Sequence, residues 1–204
     1  MTKLNIGCGK HNLGNDWIHI DGEDYPHIEY HNLRKIPLED NSVDLIYSSH
    51  TIEYFDRQEI KNILKEWKRL LKTGAKLQLV VPNFDTIASL RCLGIPLEEM
   101  EMTLFGRMKM NQNLIYHKTC WNKEELSNLL TSLGFCNIKN FSSKSKLLNF
   151  GTIITKRILW NIFPRRRGQL MSLYLEGEKE ENHTLTLNLP LGELPKTENR
   201  CYRL

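Results

Sequence analysis

Apolar and polar positions alternate along the first half of the chain in a pattern that predicts a sheet built from short strands. Runs rich in β-branched and aromatic residues, separated by polar turns, indicate strands. They fall at residues 4–6, 17–21, 28–33, 43–50 and 76–81. A helix is predicted between the last two, and strands that alternate with helices favour a parallel sheet with right-handed crossovers.

The helix between the fourth and fifth strands has clear start and stop signals. Asp56, followed three residues later by Glu59, resembles a capping pair, and Gly74 ends the segment. Apolar residues recur at helical spacing between them, at Ile60, Ile63, Leu64, Trp67 and Leu71.

The connection between the first two strands is too short for the usual crossover helix. Seven residues, 10–16, separate Gly9 from Trp17, whereas a parallel crossover normally takes about a dozen or more. We therefore predict a loop, or at most a single turn, where a first helix would be expected.

The second half is less regular, and we expect it to complete a single domain over residues 1–180. Residues 84–93 favour a helix, and residues 94–120 an irregular insertion or lid. A second capped helix starts at Asn122 and ends at Gly134. Strands are then predicted at 135–141 and 171–178, and residues 181–204 are predicted to form a polar, extended tail.

Composition limits the class of protein only loosely. The chain has 204 residues, a formal net charge of +4 and five cysteines. An odd number of scattered cysteines without a C-x-x-C motif is typical of a reduced, cytoplasmic protein. No apolar run is long enough for a membrane span, and the first residues lack a secretory apolar region.

Residues 144–171 combine seven basic residues and no acid with interleaved apolar residues. Three interpretations stay open for this basic apolar segment: a helix with a solvated basic edge, a contact with an anionic membrane or a lipid-linked acceptor, or a guide for a phosphate-bearing partner. RNA is the weakest partner, because stacking aromatic residues are few.

Several stretches, taken in order, resemble the class I S-adenosylmethionine-dependent methyltransferases, and the broad "type 11" group most of all. The resemblance covers about residues 3–142, and its specificity comes from the ordered combination. The matching stretches are 4–9 (LNIGCG), Asp21, 36–50 (IPLEDNSVDLIYSSH), Glu53, 67–74 (WKRLLKTG), 79–82 (LVVP) and 124–135.

The resemblance implies a Rossmann-like α/β fold with a seven-stranded, mostly parallel sheet, an antiparallel last strand and S-adenosylmethionine as cofactor. It also implies the roles of individual residues at the cofactor site. Gly7, Cys8 and Gly9 would lie under the methionine part, Asp21 would accept hydrogen bonds from the ribose, Asn32 and Leu33 would contact the adenine, and Ser48, Ser49 and His50 would face the methionine and its methyl group.

Two departures from the family pattern affect this site. Asn5 stands where many members carry an acid, which removes a charge near the ammonium of the cofactor. His11 occupies the place of a third glycine. Because that glycine serves the packing of a first helix, its loss agrees with a truncated or absent helix.

Methyl transfer to a hydroxyl requires removal of a proton, and histidine is the usual base near neutral pH. His50, at the end of the fourth strand, is the best-placed candidate, although a strand-end histidine can also simply bond to backbone. His117, in the lid, could reach the acceptor from above or lie on a surface loop. Glu53 could orient His50, bind substrate or cap the following helix.

Two further residues are candidates for substrate binding. Asn83 and Asp85 follow the fifth strand, at the rim where an acceptor would dock. His27 and His31 have no matching cysteine or carboxylate ligands, so we expect no metal site.

The sequence thus predicts a cytoplasmic S-adenosylmethionine-dependent methyltransferase that acts on a small-molecule or saccharide acceptor. By resemblance to short members of the group, we favour O-methylation of a sugar hydroxyl in a glycan or glycolipid precursor. A non-catalytic cofactor-binding partner subunit, and a methyltransferase acting on RNA, protein or another small molecule, remain the alternatives.

Overall fold

The fold is organised around one central sheet, described here from a computed structural model. The model describes residues 1–110, 112–141 and 171–181. Within them, six strands form the sheet in the order β2-β1-β3-β4-β8-β7. Their bounds are β1 Lys3–Ile6, β2 Ile18–Ile20, β3 Val43–Ser49, β4 Leu71–Pro82, β7 Phe135–Asn140 and β8 Ser172–Lys179.

Strand directions agree with the predicted topology. β2, β1, β3 and β4 pair in parallel, and β8 runs antiparallel to both of its neighbours, β4 and β7. The mostly parallel sheet with an antiparallel last strand is therefore confirmed. The carboxyl ends of β1, β2, β3 and β4 meet at one edge, where parallel sheets of this kind bind ligands.

The two faces of the sheet differ in polarity. One row of directly paired residues is polar across the whole sheet, and the rows on either side are mainly apolar. Since neighbouring rows point to opposite faces, the polar row marks one face and the apolar rows the other. The polar row runs His19, Asn5, Tyr47, Gln78, Glu176 and Lys139.

Helices α1 (Arg57–Leu70) and α4 (Lys123–Ser132) pack on the apolar face. The N-terminus of α1 has the predicted capping box, in which Asp56 accepts from the Glu59 amide and the Glu59 side chain accepts from the Asp56 amide. Asn122 caps α4 by accepting from the Glu125 amide at 2.8 Å. Buried side chains from both helices and the sheet, with Trp67 among the largest, form the main core.

The crossover between β1 and β2 contains turns and loop but no helix over residues 7–17, as its length predicts. The predicted third strand is reduced to a single parallel bridge between Ile20 and Tyr30. The Asn32 side chain accepts hydrogen bonds from the amides of Arg34 and Lys35, and this turn ends the pairing.

The insertion at residues 94–120 is more ordered than its pattern predicts. After α2 (Phe84–Cys92) come helix α3 (Glu98–Phe105) and a hairpin of β5 (Met108–Met110) and β6 (Asn113–Ile115). Residues 144–170 of the basic apolar segment and 182–204 of the predicted tail lie outside the described residues. Among the described residues, no helix is long and apolar enough to span a membrane.

Candidate functional site

The glycine turn after β1 packs against Thr51, which follows the neighbouring strand β3. Gly7 has a φ of +70°, and a Cβ at this position would lie 2.1 Å from Thr51 Oγ1. That oxygen lies within hydrogen-bond distance of the carbonyls of Ile6, Gly7 and Ser49. The space beside Gly7 is therefore filled by the protein itself. Gly9, by contrast, has a φ of +52° and open space where its Cβ would be.

Asp21 holds the glycine turn in place. One carboxylate oxygen accepts a hydrogen bond from the Gly9 amide at 2.7 Å, and the other accepts from the Glu23 amide at 2.9 Å. Each carboxylate oxygen can accept a second hydrogen bond, so Asp21 retains capacity for hydroxyl groups of a ligand. Burial, together with the charge of Asp21, raises the pKa of the Cys8 thiol to about 11, so Cys8 is a neutral lining residue.

Both departures from the family pattern have a structural account. Asn5 is buried, and its side-chain amide donates to the carbonyl of His11 at 3.3 Å. The His11 amide in turn donates to the Cys8 carbonyl at 3.0 Å. Asn5 thus fixes the loop that replaces the first helix.

A cavity of about 460 Å³ lies between the segment after β2 and the β5–β6 hairpin. Leu33 and Gly22 line it from the cofactor side, and Met110 lines it from the hairpin. Gly22 leaves room for the end of the Met110 side chain, whose terminal methyl carbon would lie 2.1 Å from a Cβ at this position. Of the two predicted adenine contacts, Leu33 faces this cavity, while Asn32 is exposed and forms the turn described above.

The end of β3 supplies a buried polar atom to the same edge. Among the described residues, Ser48 Oγ is buried without a hydrogen-bond partner, and Ser49, next to it, is half-buried. An unpaired buried hydroxyl commonly marks a place where a ligand binds. Together with the space at Gly9 and the acceptors of Asp21, it fits S-adenosylmethionine along the carboxyl ends of β1, β2 and β3.

His50, Glu53 and Ser172 form a hydrogen-bonded cluster at this edge. His50 Nδ1 lies 3.1 Å from Glu53 Oε1, and His50 Nε2 lies 3.2 Å from Ser172 Oγ. The Glu53 side chain is fully buried, whereas that of His50 is 41% exposed. Because a carboxylate only accepts hydrogen bonds, Nδ1 carries the proton and Nε2 is left as the acceptor. His50 also has a φ of +53°, a conformation that is strained for a residue with a side chain.

The structure places His117 behind this cluster. Its side chain is 6% exposed, and its Nε2 lies 3.8 Å from Glu53 Oε1. Nδ1 bonds the Leu104 carbonyl at 3.2 Å, and the ring contacts Tyr54 edge to face. Burial lowers the pKa of His117, and the charge of Glu53 opposes that shift. His117 thus packs against Glu53 on the lid side, and because Nδ1 donates to the Leu104 carbonyl, the neutral ring turns its Nε2 lone pair, not an N–H group, toward Glu53.

Asn83 and Asp85 both lie at the start of α2. The Asn83 side chain caps the helix by accepting from the backbone amide of Thr86. The backbone amide of Asn83 donates to the Met171 carbonyl at 2.6 Å. Asn83 is thereby adjacent to Ser172. Asp85 is exposed and lies 3.5 Å from the side chain of Asn122.

Three residues of the site were not predicted from the sequence: Thr51, Tyr54 and Ser172. The Tyr54 hydroxyl donates to the Gly106 carbonyl at 2.8 Å, and burial, with the charge of Glu53, raises its pKa to about 12. Thr51 and Tyr54 lie within two residues of Glu53 in the sequence. That proximity to a candidate residue is the signal that could have pointed to them. Ser172 is 122 residues from His50, so no local signal points to it.

Comparisons with known proteins agree with this geometry. Residues 10–79 match a family model described as a methyltransferase domain. An uncharacterized methyltransferase of Schizosaccharomyces pombe is 30% identical over 126 residues, which cover 55% of this chain and 49% of that protein. The chain thus spans about half the length of this curated relative.

Solved structures share the fold at low sequence identity. A methyltransferase of Methanosarcina mazei has a TM-score of 0.52 at 17% identity, covering 88% of this chain and 93% of that one. The 1,6-didemethyltoxoflavin-N1-methyltransferase of Burkholderia thailandensis, solved with its substrate and S-adenosylhomocysteine, has a TM-score of 0.52 at 12% identity, covering 88% and 71%.

The chain therefore has the fold of these methyltransferases, and its residues 10–79 match the methyltransferase domain that the sequence resembles.

Proposed function

We propose that this chain methylates a hydroxyl group of a sugar, in a glycan or glycolipid precursor, with His50 as general base. The observation that carries the proposal is the hydroxyl of Ser172 at His50 Nε2, with the buried Glu53 carboxylate at Nδ1. With its proton on Nδ1, the ring can accept a hydrogen bond from a hydroxyl at Nε2, and the acceptor hydroxyl would take the place of Ser172 there.

Each residue of the cluster has a separate task in this reaction. The cofactor supplies a methyl group activated by its positively charged sulfur. Glu53 holds the His50 ring and keeps the proton on Nδ1, so that Nε2 accepts the proton of the acceptor hydroxyl as the methyl–oxygen bond forms. The demethylated cofactor, the methyl ether and a protonated His50 result, and Glu53 stabilises the charge on His50. Most of the remaining rate enhancement comes from positioning, since methyl transfer is an in-line displacement.

Polar groups at the rim support a hydroxyl-rich acceptor. Asn83 is half-buried beside Met171 and Ser172, and Asp85 is exposed two residues further on. Amides and carboxylates bind sugar hydroxyls by hydrogen bonds. We do not assign His117 as the base, because its side chain is almost fully buried and its Nδ1 already donates to the Leu104 carbonyl.

The base is tested by His50→Gln and His50→Ala. Loss of a general base lowers kcat by about 10²–10⁴-fold, and the affinity for S-adenosylmethionine, measured by calorimetry, is expected to stay close to that of the wild type. Added imidazole is expected to restore part of the activity of the His50→Ala variant. An equal loss of cofactor affinity in both variants would remove His50 from the catalytic role.

The acceptor class is tested with labelled S-adenosylmethionine and a panel of mono- and oligosaccharides, amines and thiols. Label transferred to a saccharide hydroxyl, and dependent on His50, is the expected result. Transfer only to amines, undiminished in His50→Gln, would contradict the proposal. Binding of cofactor without transfer to any acceptor would favour a non-catalytic subunit.

A further inference from the structure

A second cavity, of about 350 Å³, lies at the edge of the sheet opposite to His50. It is bordered by the turn before β3, the second half of α1 and the end of β8, so it lies at the amino ends of the parallel strands. Its polar lining consists of Asp40, Asn41, Lys65, Lys68, Arg69 and Lys179.

Positive charge in this cavity exceeds the negative charge near it. Arg69 binds both nearby acids: it pairs with Glu66 at 2.7 Å and also with Asp40. Among the described residues, Lys65, Lys68 and Lys179 have no carboxylate within ion-pair distance. Within the described part of the chain, three lysines thus lie around one concave surface without a direct ion pair, although the charge of Asp40 acts on Lys179 from the cavity wall.

Lys179 gives the cavity a fixed, buried cation. The residue is 7% exposed, and its Nζ donates to Asn41 Oδ1 and to the Leu71 carbonyl, both at 2.7 Å. Both acceptors are neutral, and an ammonium group has three N–H donors, so one donor is left for a ligand. Burial and the nearby charge of Lys68 lower the pKa of Lys179, a shift that an anion in the cavity would reverse.

Helix capping does not account for the lysines. The last carbonyls of α1, those of Arg69 and Leu70, already accept from the amides of Asn41 and Ser42 at 3.0 and 2.9 Å. At the end of α4, the Thr131 carbonyl accepts from the amide of Gly134 at 2.9 Å. Lysines often stabilise helix C-termini. Lys68 lies in the last turn of α1 and has this favourable interaction with the helix dipole, but the three carbonyls named here already accept from backbone amides.

The Lys68 ammonium group lies against the turn at Gly134. A Cβ on Gly134 would lie 2.2 Å from Lys68 Nζ, so the absence of that atom lets the ammonium group rest against the turn after α4. Lys68 is therefore positioned next to Lys179 in spite of their like charges.

We propose that this cavity binds the phosphate group of a small phosphorylated molecule. Convergent ammonium groups, one of them buried, on a concave surface favour a compact, multiply charged oxyanion. The proposal is independent of the methyl-transfer reaction, because the cavity and His50 lie at opposite edges of the sheet.

The test is calorimetric titration of the full chain with inorganic pyrophosphate and, separately, inorganic phosphate, at constant ionic strength. Saturable binding at one site per chain is expected. Lys68→Gln removes a charge-assisted hydrogen bond and is expected to weaken binding about tenfold or more. Lys61→Gln, an equal charge change at an exposed position of α1 outside the cavity, is expected to leave binding unchanged.

The outcomes separate a built site from general surface charge. Tighter binding of pyrophosphate would indicate a diphosphate ligand, and equal binding a single phosphate. No saturable binding, or equal weakening by both substitutions, would overturn the proposal. If Lys68→Gln impairs folding, judged by its affinity for S-adenosylmethionine, the exposed Lys65→Gln variant decides in its place.

Discussion

Gly7 and Gly9 have the same left-handed backbone but different surroundings, and this difference gives a test of the cofactor site. Gly7→Ala adds a clash with Thr51 to the strain of a positive φ, whereas Gly9→Ala adds strain alone. We expect Gly9→Ala to destabilise by about 1 kcal/mol and Gly7→Ala by clearly more. Urea unfolding measures both free energies.

Cofactor affinity is expected to separate the two variants further. The open space at Gly9 faces the proposed methionine site. Gly9→Ala should therefore weaken S-adenosylmethionine binding clearly, even though it lowers stability only slightly. Unchanged affinity in a folded Gly9→Ala variant would place the cofactor elsewhere.

How far the sequence predicts individual residues depends on sequence separation. His50 and Glu53 lie three residues apart in the segment that follows β3, with Glu53 in the 3₁₀ turn Ile52–Tyr54, so a local pattern brings them together. Ser172 reaches His50 only because β8 pairs with β4, with Pro82 opposite Ser172. That contact depends on tertiary structure, which no local pattern encodes.

At the level of elements, the capped helices provide a matched pair for measurement. Asp56 accepts from two amides at the start of α1 and belongs to a reciprocal capping box, whereas Asn122 accepts from one amide at the start of α4. We expect Asn122→Ala to cost about 1 kcal/mol and Asp56→Ala more, because Asp56 also places a negative charge at a helix N-terminus. Equal or reversed losses in urea unfolding would contradict this ranking.

The helices α1 and α4 could be predicted because their apolar spacing and caps are local signals. The insertion could not: α3 has one buried residue, Met100, and the strands β5 and β6 have three residues each. These elements are fixed by non-local hydrogen bonds, such as that from Tyr54 to the Gly106 carbonyl and that from the His117 amide to the Phe105 carbonyl.

For the whole molecule, the lowered pKa values predict that stability falls on acidification. Burial lowers the pKa of both His19 and His117 from the ordinary 6.5, so the unfolded chain takes up protons first as the pH drops below that value. Stability is therefore greatest above pH 6.5 and declines as the pH falls through the folded values. The hydrogen bond from Arg34 lowers the pKa of Glu59 from 4.5 to about 2, and its contribution is lost over that lower range.

Urea unfolding between pH 7.5 and pH 5 checks the histidine contribution. His117→Gln removes one of the two groups, so its stability is expected to fall less steeply over this range than that of the wild type. Parallel curves for the two proteins would show that His117 does not titrate with the low pKa that its burial produces.

The position of β8 between β4 and β7 also determines the order in which the sheet can assemble. β7 is synthesised before β8, but in the sheet β8 lies between β4 and β7. β7 therefore cannot join the sheet until β8 is present. β1, β2, β3 and β4 can pair while the rest of the chain is still being synthesised, whereas β7 has to wait for residues about 40 positions further on. The Gln78–Glu176 bond alone closes a separation of 98 residues, and such non-local contacts form slowly. We therefore expect the His50–Ser172 contact, which depends on this last strand, to form late in folding.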